Sequence, residues 1–177
     1  GVMGMNVIGK TDYINVVVEA LSHVTPIRDF FLIPSNYSYS KSPLVHAFGV
    51  LMRKLWSHYR FKSHVSPHEF VNEVIRSSKD RYTVNERKDA ADFLRWLINS
   101  LNTGLHDKEH KTTVIDMCFK GRIEITSKKF TLAESKKRSH EEMETGKSET
   151  NYTDYDVTTS TKISDFLMLS LDLPPIP

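Results

Sequence analysis

At 177 residues, 39% hydrophobic and 26% charged with a formal net charge of +2, the chain has the balance of one soluble globular domain and is too weakly basic to announce a nucleic-acid binder. No run of about 18 apolar residues is present, which excludes a membrane-spanning helix, and Gly1 to Met5 lack the basic and apolar regions of a signal peptide, which points to an intracellular protein. Cys118 is the only cysteine, so an intramolecular disulfide and a multi-cysteine zinc site are both excluded, and partners are expected to be proteins, with no direct nucleic acid and no membrane.

From Gly4 a loop holding two glycines runs into an amphipathic segment. Ile14, Val17, Val18 and Leu21 recur at helical spacing, so a helix with one buried stripe is predicted from about Tyr13. Asp12 stands at its mouth, where unpaired N–H groups and the helix dipole favour negative charge. An enzyme would place an anionic nucleophile there, and an ordinary N-cap would stand there too.

Thr25-Pro26 breaks the pattern, and Ile27 to Ile33 reads as a short apolar segment packed beneath the helix end. After a polar loop from Pro34 to Lys41, Ser42-Pro43 opens a second helix as N-cap and first helical residue, with Leu44, Phe48, Leu51 and Leu55 as its stripe. Ser66-Pro67 repeats the device, and Glu69 three residues on predicts a capping box. Phe70, Val71, Val74 and Ile75 then face inward. A further helix is predicted from near Arg87, with Ala90, Phe93, Leu94, Leu97 and Leu101 on one face and Gly104 as its stop. Trp96 reads as a packing or interface residue.

His58, His64 and His68 cluster in the sequence, and His106 and His110 are four apart. Such spacing can bind zinc on a helix, but the second pair lies in a polar linker after Gly104, so solvated histidines are expected, with no metal and no cofactor. From Thr112 the period shifts to two: Val114, Ile115, Met117 and Phe119, then Ile123 and Ile125, read as two strands or one bent strand. Residues 133–162, rich in Glu, Lys, Ser and Thr, form a mobile insert, because too little apolar surface is available to offset ordering. Lys136-Lys137-Arg138 within it is only a weak nuclear-import signal, and a solvated loop is the better reading of three basic residues. Ile163 to Leu173 alternates again, with Leu167, Leu169, Leu171 and Leu173 on one face.

The stretch from Gly4 resembles the signature of the ubiquitin-specific proteases, Gly-Leu-x-Asn-Leu-Gly-Asn-Thr-Cys-Tyr-Met-Asn, in register at Gly4, Gly9, Thr11, Tyr13 and Asn15 and on through Val18 to Leu21. Asp89, Ala90, Phe93 and Leu94 match the family's Gln-Asp-Ala-x-Glu-Phe-Leu helix, with Lys88 and Asp92 in place of the glutamine and glutamate. Phe119-Lys120-Gly121 resembles the start of its fingers strands, and Phe166 to Pro174 its Phe-x-x-Leu-x-Leu-x-Leu-Pro strand. The family's fingers often carry Cys-x-x-Cys zinc pairs, which this chain lacks.

The resemblance implies an α+β, papain-like cysteine-protease fold, front half only. Residues 1–110 would form the helical thumb and 111–177 the fingers strands with their insert. The palm half, which carries the catalytic histidine, would lie outside this chain, making it one piece of a larger domain. Asp12 falls where the family has its nucleophilic cysteine and Lys10 where it has an oxyanion-hole asparagine, so both are degenerate active-site positions and no catalytic residue is assigned. A carboxylate is a poor nucleophile towards an amide, because it would have to form a high-energy mixed anhydride. Losing an oxyanion donor alone lowers turnover by about 10²–10³, although the Lys10 ammonium could itself donate.

These substitutions resemble those of one subgroup, the inactive ubiquitin-protease-like splicing factors of the spliceosomal tri-snRNP. The function implied is a nuclear scaffold in pre-mRNA splicing that contacts tri-snRNP proteins. A ubiquitin-binding module and a residual deubiquitinase are the alternatives, with ubiquitin as the partner in either case.

Overall fold

The computed structural model describes residues 3–57, 64–132 and 155–169. It divides into two units, one comprising residues up to Gly121 together with the chain from Phe166, the other Arg122–Asp165.

The first unit is helical. Its strand β1 (Gly4–Met5) leads into α1 (Asp12–Ser22), whose buried residues include the predicted stripe Ile14, Val17, Val18 and Leu21. The apolar segment after Thr25-Pro26 is itself a helix, α2 (Thr25–Leu32), which buries Ile27 and Phe31 one turn apart. Pro26 starts this helix where it was expected only to interrupt the previous one, since proline fits the first turn, where its missing N–H has no partner to lose. A 3₁₀ turn (Pro34–Tyr37) precedes α3 (Pro43–Leu55), which buries Leu44, Phe48, Leu51 and Leu55 as predicted and adds Val45 and Met52.

Neither Ser-Pro pair caps its helix through the serine side chain. At α3 the Ser42 hydroxyl makes no cap bond, and the Ser42 N–H donates to Ser40 Oγ at 3.2 Å. Strand β2 (His64–Val65), paired in parallel with β1, precedes α4 (His68–Ser77). There Pro67 takes the cap position, the Ser66 hydroxyl contacts His68 Nδ1, and Glu69 accepts from Lys54 Nζ of α3 at 2.8 Å. The predicted capping box is therefore not formed, because the carboxylate that would close it is held by another helix.

Helix α5 (Ala90–Leu105) starts later than predicted, at the Asp89 side chain, whose Oδ1 accepts the Asp92 N–H at 2.8 Å. Gly104 does not end it. A Cβ there would stand 2.7 Å from Val45 Cγ2 and 2.8 Å from Ser42 Cβ, so this glycine lets α5 lie close against α3, and His106 takes the C-cap position.

The largest departure is at Val114–Phe119, expected as strand and found as helix α6. Thr113 Oγ1 accepts from the Asp116 N–H at 3.1 Å and Asp116 Oδ2 accepts from the Thr113 N–H at 3.2 Å, a reciprocal capping box that nucleates the turn. Val114 and Ile115 are buried side by side while Met117 is 76% exposed, a pattern that an alternating strand could not produce.

Helix α3 packs on α2, α4 and α5, while α1 packs on α5 and α6 on both α2 and α5. The centre is aromatic: Phe31 meets Phe48 edge-on at 4.9 Å, and Phe48 lies 5.7 Å from Phe70. A second cluster joins Tyr13, Tyr82, Phe93 and Trp96. Leu167, which follows the second unit, packs against this core.

The second unit is a pair of strands, β3 (Gly121–Leu132) and β4 (Tyr155–Phe166), with Arg122 Nε 3.7 Å from Asp165 Oδ1. β4 takes in residues 155–162, which the sequence reading gave to the mobile insert. It also ends at Phe166, before most of the predicted leucine alternation; Leu171 and Leu173, like residues 133–154 and His58, lie outside the described residues.

Candidate functional site

The loop Asn6–Thr11 is built to hold one conformation at the head of α1. Gly9 has φ +60°, and a Cβ on it would overlap the Val84 carbonyl oxygen, so the position calls for glycine on two counts. The next residue fastens the same contact, the Lys10 N–H donating to that oxygen at 2.8 Å. Thr11 is fully buried, and its Oγ1 accepts the Ile8 N–H at 3.2 Å. The Thr11 carbonyl accepts from the Ile14 and Asn15 N–H groups, which starts the helix. Asn15 Nδ2 returns to Asn6 O at 3.2 Å and closes the loop.

This scaffold delivers Asp12 as the first residue of α1, one position later than an N-cap. Its side chain is 51% exposed, and Oδ2 stands 3.6 Å from Arg87 Nε. Arg87 lies in the loop before α5, a position no periodicity marks, and the sequence reading did not connect it with Asp12. Lys10, whose backbone is tied down, leaves an exposed side chain, and its charge joins Lys88 in holding the Glu86 carboxyl below its usual range, the Lys88 hydrogen bond being the larger cause. The head of α1 thus carries mixed charge, Arg87 beside Asp12 and Lys88 beside Glu86, with Lys10 near enough to act on Glu86.

Behind it the chemistry is apolar. Tyr13 is buried against Phe93, edge-on at 5.4 Å, and among the described residues its hydroxyl has no hydrogen-bond partner. Burial, then the charges on Tyr82 and Asp12, push its phenol up to about 12.

The histidines are held by other parts of the fold. His106 Nε2 lies 3.1 Å from Asp116 Oδ2, His110 stacks on Tyr39 at 4.0 Å, and His46 Nε2 is 2.7 Å from Ser40 O. His106 and His110 are both exposed, as expected, and rest against Asp116 and Tyr39. Among the described residues no three His, Cys, Asp or Glu side chains are grouped to share an ion. Cys118, half-buried on α6, has its thiol pushed up by burial. Trp96 packs on Tyr82 and Phe93, in keeping with the packing role read from the sequence.

Comparison with known proteins gives this geometry a family. The chain is similar over its whole length, at 39% identity, to the fission yeast protein named probable mRNA-splicing protein ubp10, covering 34% of that protein. It is 36% identical to human ubiquitin carboxyl-terminal hydrolase 39, again over all of this chain and 31% of that one. Among solved structures it is similar to an essential yeast splicing factor, with a TM-score of 0.64 at 23% identity over 98% of this chain and 35% of that one. The chain therefore spans about a third of the length of the relatives it matches. The family model described as ubiquitin carboxyl-terminal hydrolase matches residues 3–170. With that match and the shared α+β fold of the solved splicing factor, the chain belongs to the ubiquitin carboxyl-terminal hydrolase family.

Proposed function

We propose that this protein is a catalytically inactive member of its family that serves as a scaffold in pre-mRNA splicing, working in the nucleus through contacts with proteins of the tri-snRNP. The observation that carries the reading is the carboxylate of Asp12 at the head of α1, paired with Arg87. In this reading Asp12 stands where the family's thiol would attack and Lys10 where an oxyanion donor would stand. The helix entrance keeps its shape and has lost its nucleophile.

The splicing assignment draws on the printed names of the relatives at 39% identity and of the solved structure. The helical unit, with α6 packed on it, then acts as the thumb and β3 and β4 open the fingers, two surfaces that can hold different partners, and binding to the folded state stabilises the assembly by mass action. Affinity purification of the full-length protein, with identification of what co-purifies, tests this. Tri-snRNP proteins are expected in the wild-type eluate and, undiminished, in that of Asp12→Ala. Recovery of the protein without any splicing component would overturn the assignment.

A further inference from the structure

A groove of about 590 Å³ runs along the outer face of α5, walled by the end of α4 and the start of α3. That volume is in the range of ligand sites, and the groove shares no lining residue with the head of α1. Its lining includes two exposed arginines, Arg81 and Arg95, and a single carboxylate, Asp92. Arg95 Nη1 reaches Asp92 Oδ1 at 3.1 Å, and Arg81 lies over the Tyr82 ring at 5.4 Å. Each guanidinium carries five N–H donors in a planar fork. Next along the groove comes Trp96, half-buried, its ring supported by Tyr82 and Phe93. Further along α5 the lining includes Asn99 and Thr103, short polar side chains able to meet a main chain, with Ser42 and Leu44 at the start of α3 on the facing wall.

The order cation, aromatic surface, neutral hydrogen-bonding groups selects a ligand. Lipid would need a wide apolar face, and the lining here is mixed. Nucleic acid would need a row of cations to neutralise successive phosphates, and the groove has two, one of them shared with Asp92. From Asp92 to Gly104 the groove follows α5 for about 18 Å at a rise of about 1.5 Å per residue, the span of about five extended residues. We propose that this groove binds an extended acidic segment of a protein partner, its carboxylates on Arg81 and Arg95 and an apolar side chain on Trp96.

The two arginines provide charge complementarity and the fork geometry that matches carboxylates. Trp96 is a rigid amphipathic anchor of the kind that concentrates binding energy at interfaces. Because the inference concerns one surface read with purified components, it stands or falls separately from the splicing assignment.

The test uses the full-length protein and a fluorescein-labelled pentapeptide with a central leucine flanked by two glutamates on each side. Fluorescence anisotropy is expected to show saturable binding that weakens at least tenfold in Arg81→Glu and in Arg95→Glu, and that stays unchanged in Lys111→Glu, an exposed charge outside the groove. Arg81→Gln and Arg95→Gln, which avoid placing a new carboxylate beside Asp92, should weaken it in the same direction, and circular dichroism checks that each variant is folded. Trp96 fluorescence should respond to the unlabelled peptide and not to its lysine counterpart. The proposal is overturned by absence of saturable binding up to millimolar peptide. It is equally overturned if folded Arg81 and Arg95 variants bind as well as wild type, if Lys111→Glu weakens binding as much as they do, or if a single-stranded RNA of equal length binds the groove more tightly than the peptide.

Discussion

Asp12 and a thiolate in its place would feel the same surroundings, and that makes the position testable by chemistry. The N-terminus of α1 and the Arg87 guanidinium 3.6 Å away both favour an anion, and a thiol so placed ionises below its ordinary value of about 8.5. In Asp12→Cys the introduced thiol should therefore react with iodoacetamide at neutral pH well ahead of Cys118, whose thiol burial pushes up. Adding Arg87→Ala should slow that reaction severalfold, and equal rates for the two thiols would show that the helix entrance no longer favours anions. The neighbouring residue makes a second prediction. The Tyr13 phenol is buried without a partner among the described residues and ionises near 12 instead of 10. Since the unfolded chain loses this proton first, folding stability from this group is full below pH 10 and falls as pH rises towards about 12. Tyr13→Phe should remove that loss and raise stability at pH 7 by about 1 kcal/mol, because an unsatisfied buried hydroxyl is no longer desolvated. Urea denaturation at pH 7 and pH 11 measures both effects.

Helix α6 shows where local reading succeeds and where it fails. Its apolar residues fit either period over so short a span, and the strand reading followed from their alternation. The decisive signal was the pair Thr113 and Asp116, three apart, which forms a capping box. Ser66 and Glu69 show the same spacing and form none, because Lys54, distant in sequence, takes the carboxylate. Local pattern thus decides an element only where no tertiary partner competes for the same group. The long helices were legible because their buried stripes span several turns, whereas Gly104 was misread because its purpose lies in Val45 of another helix. At the α6 cap, Thr113→Ala should lower stability by about 1 kcal/mol. Burial pushes the Asp116 carboxyl up, but the Thr113 N–H, Asn102 Nδ2 and His106 together outweigh it and hold the group below its usual range. A depressed carboxylate stabilises the fold above its unfolded value of about 3.9 and ceases to do so as pH falls towards its folded value. Asp116→Asn should accordingly lose stability above pH 4 and show a shallower acid transition below it. Thermal unfolding across pH 2 to 7 would reveal this, and parallel curves for the two proteins would rule it out.

Across the whole molecule the candidate site was legible in part. Asp12, Lys10 and Gly9 belong to one continuous stretch whose signature places them together at a helix entrance, and the structure delivers them there through bonds made within that loop and to Val84. Arg87 comes from a loop remote in sequence, and only the packing of α1 on α5 brings it to Asp12. The same packing would let a family architecture outlast its chemistry, as the proposed function requires. The residues that fill the core, among them Tyr13, Val18, Phe93 and Leu97, are buried hydrophobics with a stabilising role of their own, while the exposed carboxylate at position 12 can vary without loosening them. The central claim is that contact has replaced cleavage. Its most direct test is the hydrolysis of a ubiquitin–fluorophore conjugate by the full-length protein, run beside Asp12→Ala. No release above the background of the conjugate alone, with or without the substitution, is the predicted result. Turnover by the wild type that disappears in Asp12→Ala would contradict it.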